Sequence, residues 1–424
     1  MAETIKPNWD VVVAGGGPAG FFAAIRCAQL NPRLRVLILE KASQTLGKVL
    51  ISGGGRCNVT HACFDPAKLV TFYPRGGNEL RGAFSRFQPK DTVEWFEDRG
   101  VKLKTEADGR MFPVTDSSET IAEVLREAAK KAGVQTQLGA ALLRVEKSSG
   151  GGFRLEVRQE AKIFLFQTKK MLIATGSDSK THEVVRSLGH SVVEPVPSLF
   201  TFNIKDKRIE GLAGVSVEDV ALKMESVTAR GALLITHWGM SGPAVLRCSA
   251  WGARVLHEMK YQAKLTVNWL CDYSFEKALE VLTRNKEWKE NSRKKVGITP
   301  AFSQIPTRLW KQLTAFVGEK NWADVSKVEL RRLAQELTAG GFEITGKGQF
   351  KEEFVTAGGV DLKEVDFKTM QSRVVEGLFF AGEVLDIDGI TGGFNFQSSW
   401  TTGWLAGSAL AESTNLFAAE IQRF

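Results

Sequence analysis

Two glycine-rich turns at opposite ends of the chain restrict its fold more than any other feature. Near the start, the apolar run Val11-Val12-Val13-Ala14 leads into Gly15-Gly16-Gly17-Pro18-Ala19-Gly20. Near the end, Leu378-Phe379-Phe380-Ala381 leads into Gly382-Glu383-Val384-Leu385-Asp386-Ile387-Asp388, then Gly392-Gly393-Phe394-Asn395 and an Ala/Gly-rich stretch. Each reads as a buried strand, a loop and the first turn of a helix. Together they imply that both ends fold onto one dinucleotide, and the second loop points to FAD rather than NAD.

The first turn has a mechanical reading. Gly15 permits the tight strand-to-helix turn, Gly17 lets the backbone approach a pyrophosphate, and Gly20 lets the helix pack on the strand. The helix opening at Pro18 and Ala19 offers free N–H groups and a partial positive charge to phosphate. A second strand, Arg35-Val36-Leu37-Ile38-Leu39, ends at Glu40, where such fingerprints place a carboxylate for ribose hydroxyls. Lys41 beside it, Val145 on a later strand, and Thr175-Gly176 at the end of strand Lys170–Ala174 are further cofactor candidates.

The segment Gly47-Lys48-Val49-Leu50-Ile51-Ser52-Gly53-Gly54-Gly55-Arg56-Cys57-Asn58-Val59-Thr60 has four glycines and two cations. It reads as a loop with no room for a regular element. Successive glycines at Gly53 and Gly54 bring backbone amides close to a flat or anionic ligand. Lys48 and Arg56 are placed to neutralise a pyrophosphate or a reduced flavin, with Ser52 and Asn58 as polar contacts. A solvated basic loop is the alternative.

The order Gly-Gly-Gly-Pro-Ala-Gly, Ser-Gly-Gly-Gly-Arg-Cys-Asn, Thr236-His237-Trp238-Gly239-Met240-Ser241-Gly242-Pro243, Thr356-Ala357-Gly358-Gly359-Val360, Gly382-Glu383-Val384-Leu385-Asp386 and Gly392-Gly393-Phe394-Asn395 resembles the BaiN/RdsA-type NAD(P)/FAD-dependent oxidoreductases. That family includes proteins described as aminoacetone oxidases. The resemblance spans nearly the whole chain. It implies an FAD enzyme of α/β class: a discontinuous Rossmann-like domain of the two-dinucleotide-binding type, with an inserted small β-barrel domain and a helical domain. It also implies three kinds of chemistry: steroid enone reduction, amine oxidation and uridine reduction in ribosomal RNA. Two departures fall near the cofactor or its substrate, and they bear on the identity of the substrate. Ala174-Thr175-Gly176 continues as Ser177-Asp178-Ser179 and a short run into Leu188-Gly189-His190, and His61 stands where an asparagine is usual.

Composition narrows the class. Hydrophobic residues make up 43% and charged residues 25%, as in ordinary globular domains. No apolar run approaches the ~20 residues of a membrane span. No signal-peptide core precedes the first strand, and the five cysteines are scattered, so a reduced, cytoplasmic setting is expected. There is no Cys-x-x-Cys pair, no metal-ligand spacing and no recognisable flavin-linkage motif, so FAD would be non-covalent and metal absent. A second Gly-x-Gly-x-x-Gly is also missing, since Gly150-Gly151-Gly152 reads as a hairpin turn. NAD(P)H would then act only as a transient donor at the flavin face.

The expected organisation is a cofactor domain over 1–195 and 350–424, a barrel over 196–270 and 336–349, and a basic helical domain over 271–335. Within 119–132 an amphipathic helix is expected, capped near Ser117 or Ser118 and stopped by Gly133. Between residues 283 and 311, eight cations face two acids, a local excess of +6 against +8 for the whole chain. Trp288 and Trp310 interleave with them. Such a surface suits RNA; a solvated helical face with the tryptophans turned inward is the other reading.

Flavin would supply the hydride chemistry and the protein the proton and the orientation. Cys57, His237 and Asp388 are the candidates for acid–base work, and Asp386 for ribityl or phosphate-side hydroxyls. Each has a plain alternative: Cys57 a small packed residue, His237 a hydrogen-bonded structural histidine, and one of the aspartates a turn former. The leading expectation is NAD(P)H-driven reduction of an activated C=C bond. The alternatives are reduction of uridine to dihydrouridine in ribosomal RNA and oxidation of a small amine.

Overall fold

A computed structural model describes residues 4–5, 8–348 and 355–412. They form two compact units, Met1–Pro195 with Thr356–Phe424, and Val196–Val355. The boundary expected near 349–350, and Phe354 at the head of the returning strand, lie outside the described residues.

The first unit is an α/β layer structure. Strand β1 (Trp9–Ala14) is buried along most of its length, as a strand covered on both faces must be. Helix α1 (Pro18–Leu30) follows, with Pro18 at its first position and Gly17 as an extended cap. Next come β2 (Val36–Leu39), α2 (Gly47–Gly55), α3 (Gly77–Phe84) and α4 (Ser118–Lys131). Helix α4 ends just before Gly133, whose φ of 76° breaks it. Ser117 sits at its cap position but its side chain makes no capping bond.

Strand β3 (Gln135–Gln137) and the meander β4 (Ala140–Lys147), β5 (Phe153–Gln159) and β6 (Lys162–Ile173) complete the first segment, with α5 (Ser179–Ser187) after them. The returning segment adds β7 (Val365–Asp366), β8 (Gln371–Ser372), β9 (Leu378–Phe380) and α6 (Phe394–Ala411). Along the main sheet the order is β7-β8-β9-β6-β1-β2-β3. From β9 to β3 every pairing is parallel. Strand β6 pairs antiparallel with β5 over its first half and parallel with β1 and β9 over its second.

Helix α6 is buried nearly all round, Ser398 to Gly403 included, which marks a central helix rather than a surface one. It crosses α1 at backbone contact. A Cβ on Gly403 would lie 2.6 Å from the Ala19 carbonyl oxygen, and one on Gly407 would lie 2.4 Å from that of Ala23. These glycines explain why so apolar a helix is also so rich in small residues. Lys170 donates to the carbonyl oxygens of Leu410 (3.2 Å) and Glu412 (2.7 Å) at its far end, closing off orphan acceptors.

The second unit holds a seven-stranded antiparallel sheet. Its edge strands are Gly340–Ile344 and Gly346–Lys347, with only Thr345 between them in sequence. The sheet therefore curls until its two edges meet, which makes the small barrel. Helices Phe275–Glu287, Thr307–Leu313 and Lys327–Ala339 pack in the same unit. Barrel residues such as Leu265 and helical residues such as Trp310, Trp322 and Leu333 belong to one hydrophobic core. The helical stretch is thus one body with the barrel.

Candidate functional site

Four neighbouring parallel strands end at one edge of the main sheet, and each end carries a candidate residue. Just past β2 stands Glu40, past β1 Gly15, past β6 Thr175 and past β9 Gly382. The tips are laced by backbone bonds: Gly15 N–H to Leu39 O (2.8 Å), Ala174 N–H to Ala14 O (2.8 Å) and Ala381 N–H to Ile173 O (3.1 Å). Ligands of open α/β sheets bind outside this carboxyl edge.

The three fingerprint glycines divide by what surrounds them. Gly15 has φ of 110°, and an added Cβ would lie 2.3 Å from the Ala174 oxygen; on Gly20 it would lie 2.0 Å from the Gly15 oxygen. Both positions are dictated by packing. A Cβ on Gly17 would meet nothing within 4 Å. That glycine faces open space at the N-terminus of α1, where a phosphate is favoured. Glu40 accepts the N–H groups of Gly16 and Ala42, each at 2.8 Å. Its two oxygens are held in place and keep lone pairs for hydroxyl donors. Ala19 packs under Gly382, where a Cβ would come within 2.8 Å of the Ala19 methyl. Val145 is buried in β4, in register with Leu155 of β5.

The cations of the site are paired with carboxylates. Lys41 meets Asp178 at 2.5 Å, and Lys48 meets Glu383. Burial raises the Asp178 pKa, but the bonds from Lys41 and Thr181 outweigh it and hold that carboxyl below its ordinary value. Gly176 lies beside the second pair, its hypothetical Cβ 3.6 Å from Glu383 Oε2 and 3.9 Å from Lys48 Nζ. Arg56 departs from expectation. It pairs with Glu106 at 2.7 Å and stacks over Phe112, 4.1 Å from the ring centre, so its charge is already answered within the protein. Thr175 Oγ1 is buried with no partner among the described residues.

The segment 47–60 also corrects the expectation of an irregular loop. Gly47–Gly55 begins as a helix and is then broken by Ser52, with ψ of 149°, and by Gly53, Gly54 and Gly55, all with positive φ. Leu46 in the left-handed region starts it, and Ser52 Oγ donates to Val49 O (2.8 Å). A Cβ on Gly47, Gly54 or Gly55 would meet nothing within 4 Å. This kinked helix therefore presents an open glycine face, which fits a flat ligand lying on the backbone.

Two of the three acid–base candidates are corrected by their surroundings. Cys57 is wholly buried by protein, and burial pushes its thiol up to about 12; it reaches no ligand and is a poor acid near neutrality. Asp388 is also wholly buried, and both its oxygens accept from the Arg75 guanidinium. It is a structural anion, the reason being a partner that sequence reading did not identify. His237 lies exposed on the turn between strands Val227–Thr236 and Gly239–Ser241 of the second unit.

The second glycine turn is held by side chains rather than open. Gly393, with φ of 90°, caps α6. With its amide oriented to satisfy both groups, Asn58 accepts from Gly393 N–H and donates to Thr60 O, each at 3.0 Å. Asn395 exchanges two bonds with the Gly389 backbone (2.8 and 2.9 Å). Phe394 clusters with His61 and Phe72, its ring centroid 4.7 and 4.5 Å from theirs, and Tyr73 Oη donates to its carbonyl oxygen (2.7 Å). His61, the unusual residue after the Cys-Asn-Val-Thr motif, is thus a wall of this turn. Deeper, Gln397 Oε1 accepts from Thr60 (2.6 Å) and Thr92 (2.9 Å) in a fully buried network. Asp386 donates its backbone N–H to Val360 O at 3.2 Å.

Similar proteins agree with this geometry. The chain is 28% identical over 410 residues to a protein named ribosomal RNA dihydrouridine synthase from Escherichia coli (strain K12), covering 94% of this chain and 96% of that one. It is 28% identical over 412 residues to the 3-dehydro-bile acid delta(4,6)-reductase of Clostridium scindens, covering 94% and 98%. A solved 3-ketosteroid-delta4-(5alpha)-dehydrogenase from Rhodococcus jostii superposes with a TM-score of 0.54 at 15% identity over 97% of this chain and 98% of that one, a likeness of fold. The family model described as the HI0933-like protein Rossmann domain matches residues 9–409. The chain therefore belongs to the HI0933-like family and is an FAD-dependent oxidoreductase.

Proposed function

We propose that the protein binds FAD non-covalently at the carboxyl edge of the main sheet and uses NAD(P)H to reduce an activated C=C bond. The observation that carries the site is the convergence of Gly17, Glu40, Gly176 and Glu383 around open space at four adjacent strand tips. FAD, once bound, supplies the hydride chemistry. The chain's part is to bind and orient. The α1 N-terminus and Gly17 would take the pyrophosphate, Glu40 a ribose, and the open glycines of α2 the flat ring system. The α6 N-terminus would face the ring with its positive end. Of the acid–base candidates in this unit, Cys57 is enclosed and Asp388 is paired. The C=C reading is supported by the name of the bile-acid relative.

The test is direct. The purified protein should be yellow, release FAD rather than FMN on heating, and oxidise NAD(P)H with an enone acceptor under anaerobic conditions. A colourless protein that FAD cannot reconstitute would end this reading; hydrogen peroxide production from a small amine without NAD(P)H would replace it with the oxidase reading.

A second reading, uridine reduction in RNA, is favoured by the name of the Escherichia coli relative and by the basic helical stretch. The surface is smaller than the sequence suggests. Trp310 is buried and donates to Val296 O at 2.7 Å, so only Trp288, 57% exposed, is available for stacking. Lys295 pairs with Glu319, Arg284 with Glu280 at 2.5 Å, and Arg308 donates to Gly211 O at 2.8 Å. Lys289 and Arg293 flank Trp288 with exposed side chains. Loss of dihydrouridine from ribosomal RNA in a deletion strain, restored by the gene, would establish this reading.

A further inference from the structure

We propose that a groove in the first unit, lined by no residue of the cofactor motifs, binds a free phosphorylated nucleotide. Helix α3 and the residues just after it form one wall, and the β7–β8 hairpin with the turn before it forms the other. The groove has a volume of about 840 Å³, within the ~300–1,000 Å³ of small-molecule sites. Small residues on α3 keep it open. Gly82 and Ala83 face it from α3, and a Cβ on Gly82 would meet nothing within 4 Å. Leu362, Val365 and Phe367 give it an apolar floor with one aromatic ring.

Its charge gives the ligand class. Arg86, Lys363, Lys368 and Arg373 line it against Glu79 and Asp366, an excess of two positive charges. Asp366 is occupied by its own turn, accepting from Lys368 N–H at 3.1 Å and facing Arg373 at 3.6 Å. Arg86 is anchored by donating to the Lys368 carbonyl oxygen, and Arg373 by donating to Val365 O at 3.3 Å. The ammonium groups of Lys363 and Lys368 make no bond to a described residue, and both side chains are exposed. Cations on the hairpin suit phosphate, the Phe367 ring and apolar floor suit a base, and Glu79 on the opposite wall suits an amino group on that base. A free nucleotide matches this volume. The groove shares no lining residue with the proposed FAD site, although the β7–β8 turn lies at the same carboxyl edge beyond β9; we read it as an accessory site.

The experiment is calorimetric titration of the full-length, FAD-loaded protein with adenosine monophosphate, adenosine and inorganic phosphate at low and physiological salt. Adenosine monophosphate should bind at least tenfold tighter than either fragment, and more weakly as salt rises. Lys363→Glu with Lys368→Glu should lower its affinity at least tenfold while FAD absorbance is unchanged. Lys363→Ala with Lys368→Ala provides a milder version if the reversal harms folding. Equal binding of adenosine and adenosine monophosphate, unchanged binding by both double variants, or binding of an oligonucleotide but no mononucleotide would each overturn the proposal.

Discussion

At the scale of single residues, the glycines of the first turn separate folding from ligand binding. Gly17 faces open space and has an ordinary backbone conformation, so Gly17→Val should leave the thermal stability of the FAD-free protein unchanged and abolish FAD retention. Gly20→Val, with a carbonyl oxygen 2.0 Å from the new Cβ, should fail at folding. Released FAD per mole of protein and a melting curve read the two apart; full FAD content in Gly17→Val would show that the turn is not the phosphate site. Glu40→Ala should weaken FAD by about 1–3 kcal/mol, the range for a lost charged hydrogen bond. His190 offers a different test. Its ring is wholly buried between Glu364 (2.8 Å) and Ser372 (2.9 Å), and burial holds its pKa below the ordinary 6.5 despite Glu364. Ser372 Oγ already accepts from Val374 and Val375 N–H, so its hydrogen points to His190 Nε2 and the ring is neutral with its proton on Nδ1. The unfolded chain therefore binds a proton first as pH falls. The stability from this group is present above about 6.5 and lost below it. His190→Gln should flatten that part of the curve in urea titrations between pH 7 and 5; an unchanged slope would remove His190 as the cause.

At the scale of elements, the crossing of α1 and α6 matters most. Gly407→Val would drive a Cβ to 2.4 Å from Ala23 O and 2.9 Å from Ala23 Cα. Backbone cannot yield as a side-chain tip does, so a loss of about 1–3 kcal/mol or more is expected, read as a lower urea midpoint, together with lost FAD because both helix N-termini shift. A midpoint like wild type would mean the helices do not cross there. The sequence made the elements themselves readable. The strands before each glycine turn, the hairpin around Gly150–Gly152 and helix α4 follow from period and turn residues alone. Segment 47–60 was misread because the three glycines drew attention from the helical turn before them; Ser52 and Gly53 to Gly55 break the helix, and Gly47 to Ile51 form it. Cys57 and Asp388 were misread for another reason. Their chemistry depends on enclosure and on Arg75, which is distant in sequence, and no local pattern announces a long-range pair.

At the scale of the whole molecule, charge is distributed differently from its sequence count. Cations of residues 283–311 are partly answered by Glu280 and Glu319, just outside that window, and one of its two tryptophans is core. RNA binding, where it occurs, should therefore rest on Trp288, Lys289 and Arg293. Reversing Lys289, Arg293 and Lys294 to glutamate should reduce the salt slope of binding by about 0.7 to 0.9 per lost contact and leave FAD content intact. Equal RNA binding by the triple variant in filter assays across a salt series would reduce the stretch to a solvated face. The order of the main sheet has a consequence for how the protein is made. Strand β6 is flanked by β1, from the start of the chain, and by β9, from near its end, and α1 lies against α6. A ribosome delivers β1, β2 and β6 early, and these can pair with one another, whereas β9 and α6 emerge only after the whole second unit has been made. The proposed nucleotide cradle is therefore completed only once the second unit has been made, and nascent chains halted before Phe394 should retain no FAD.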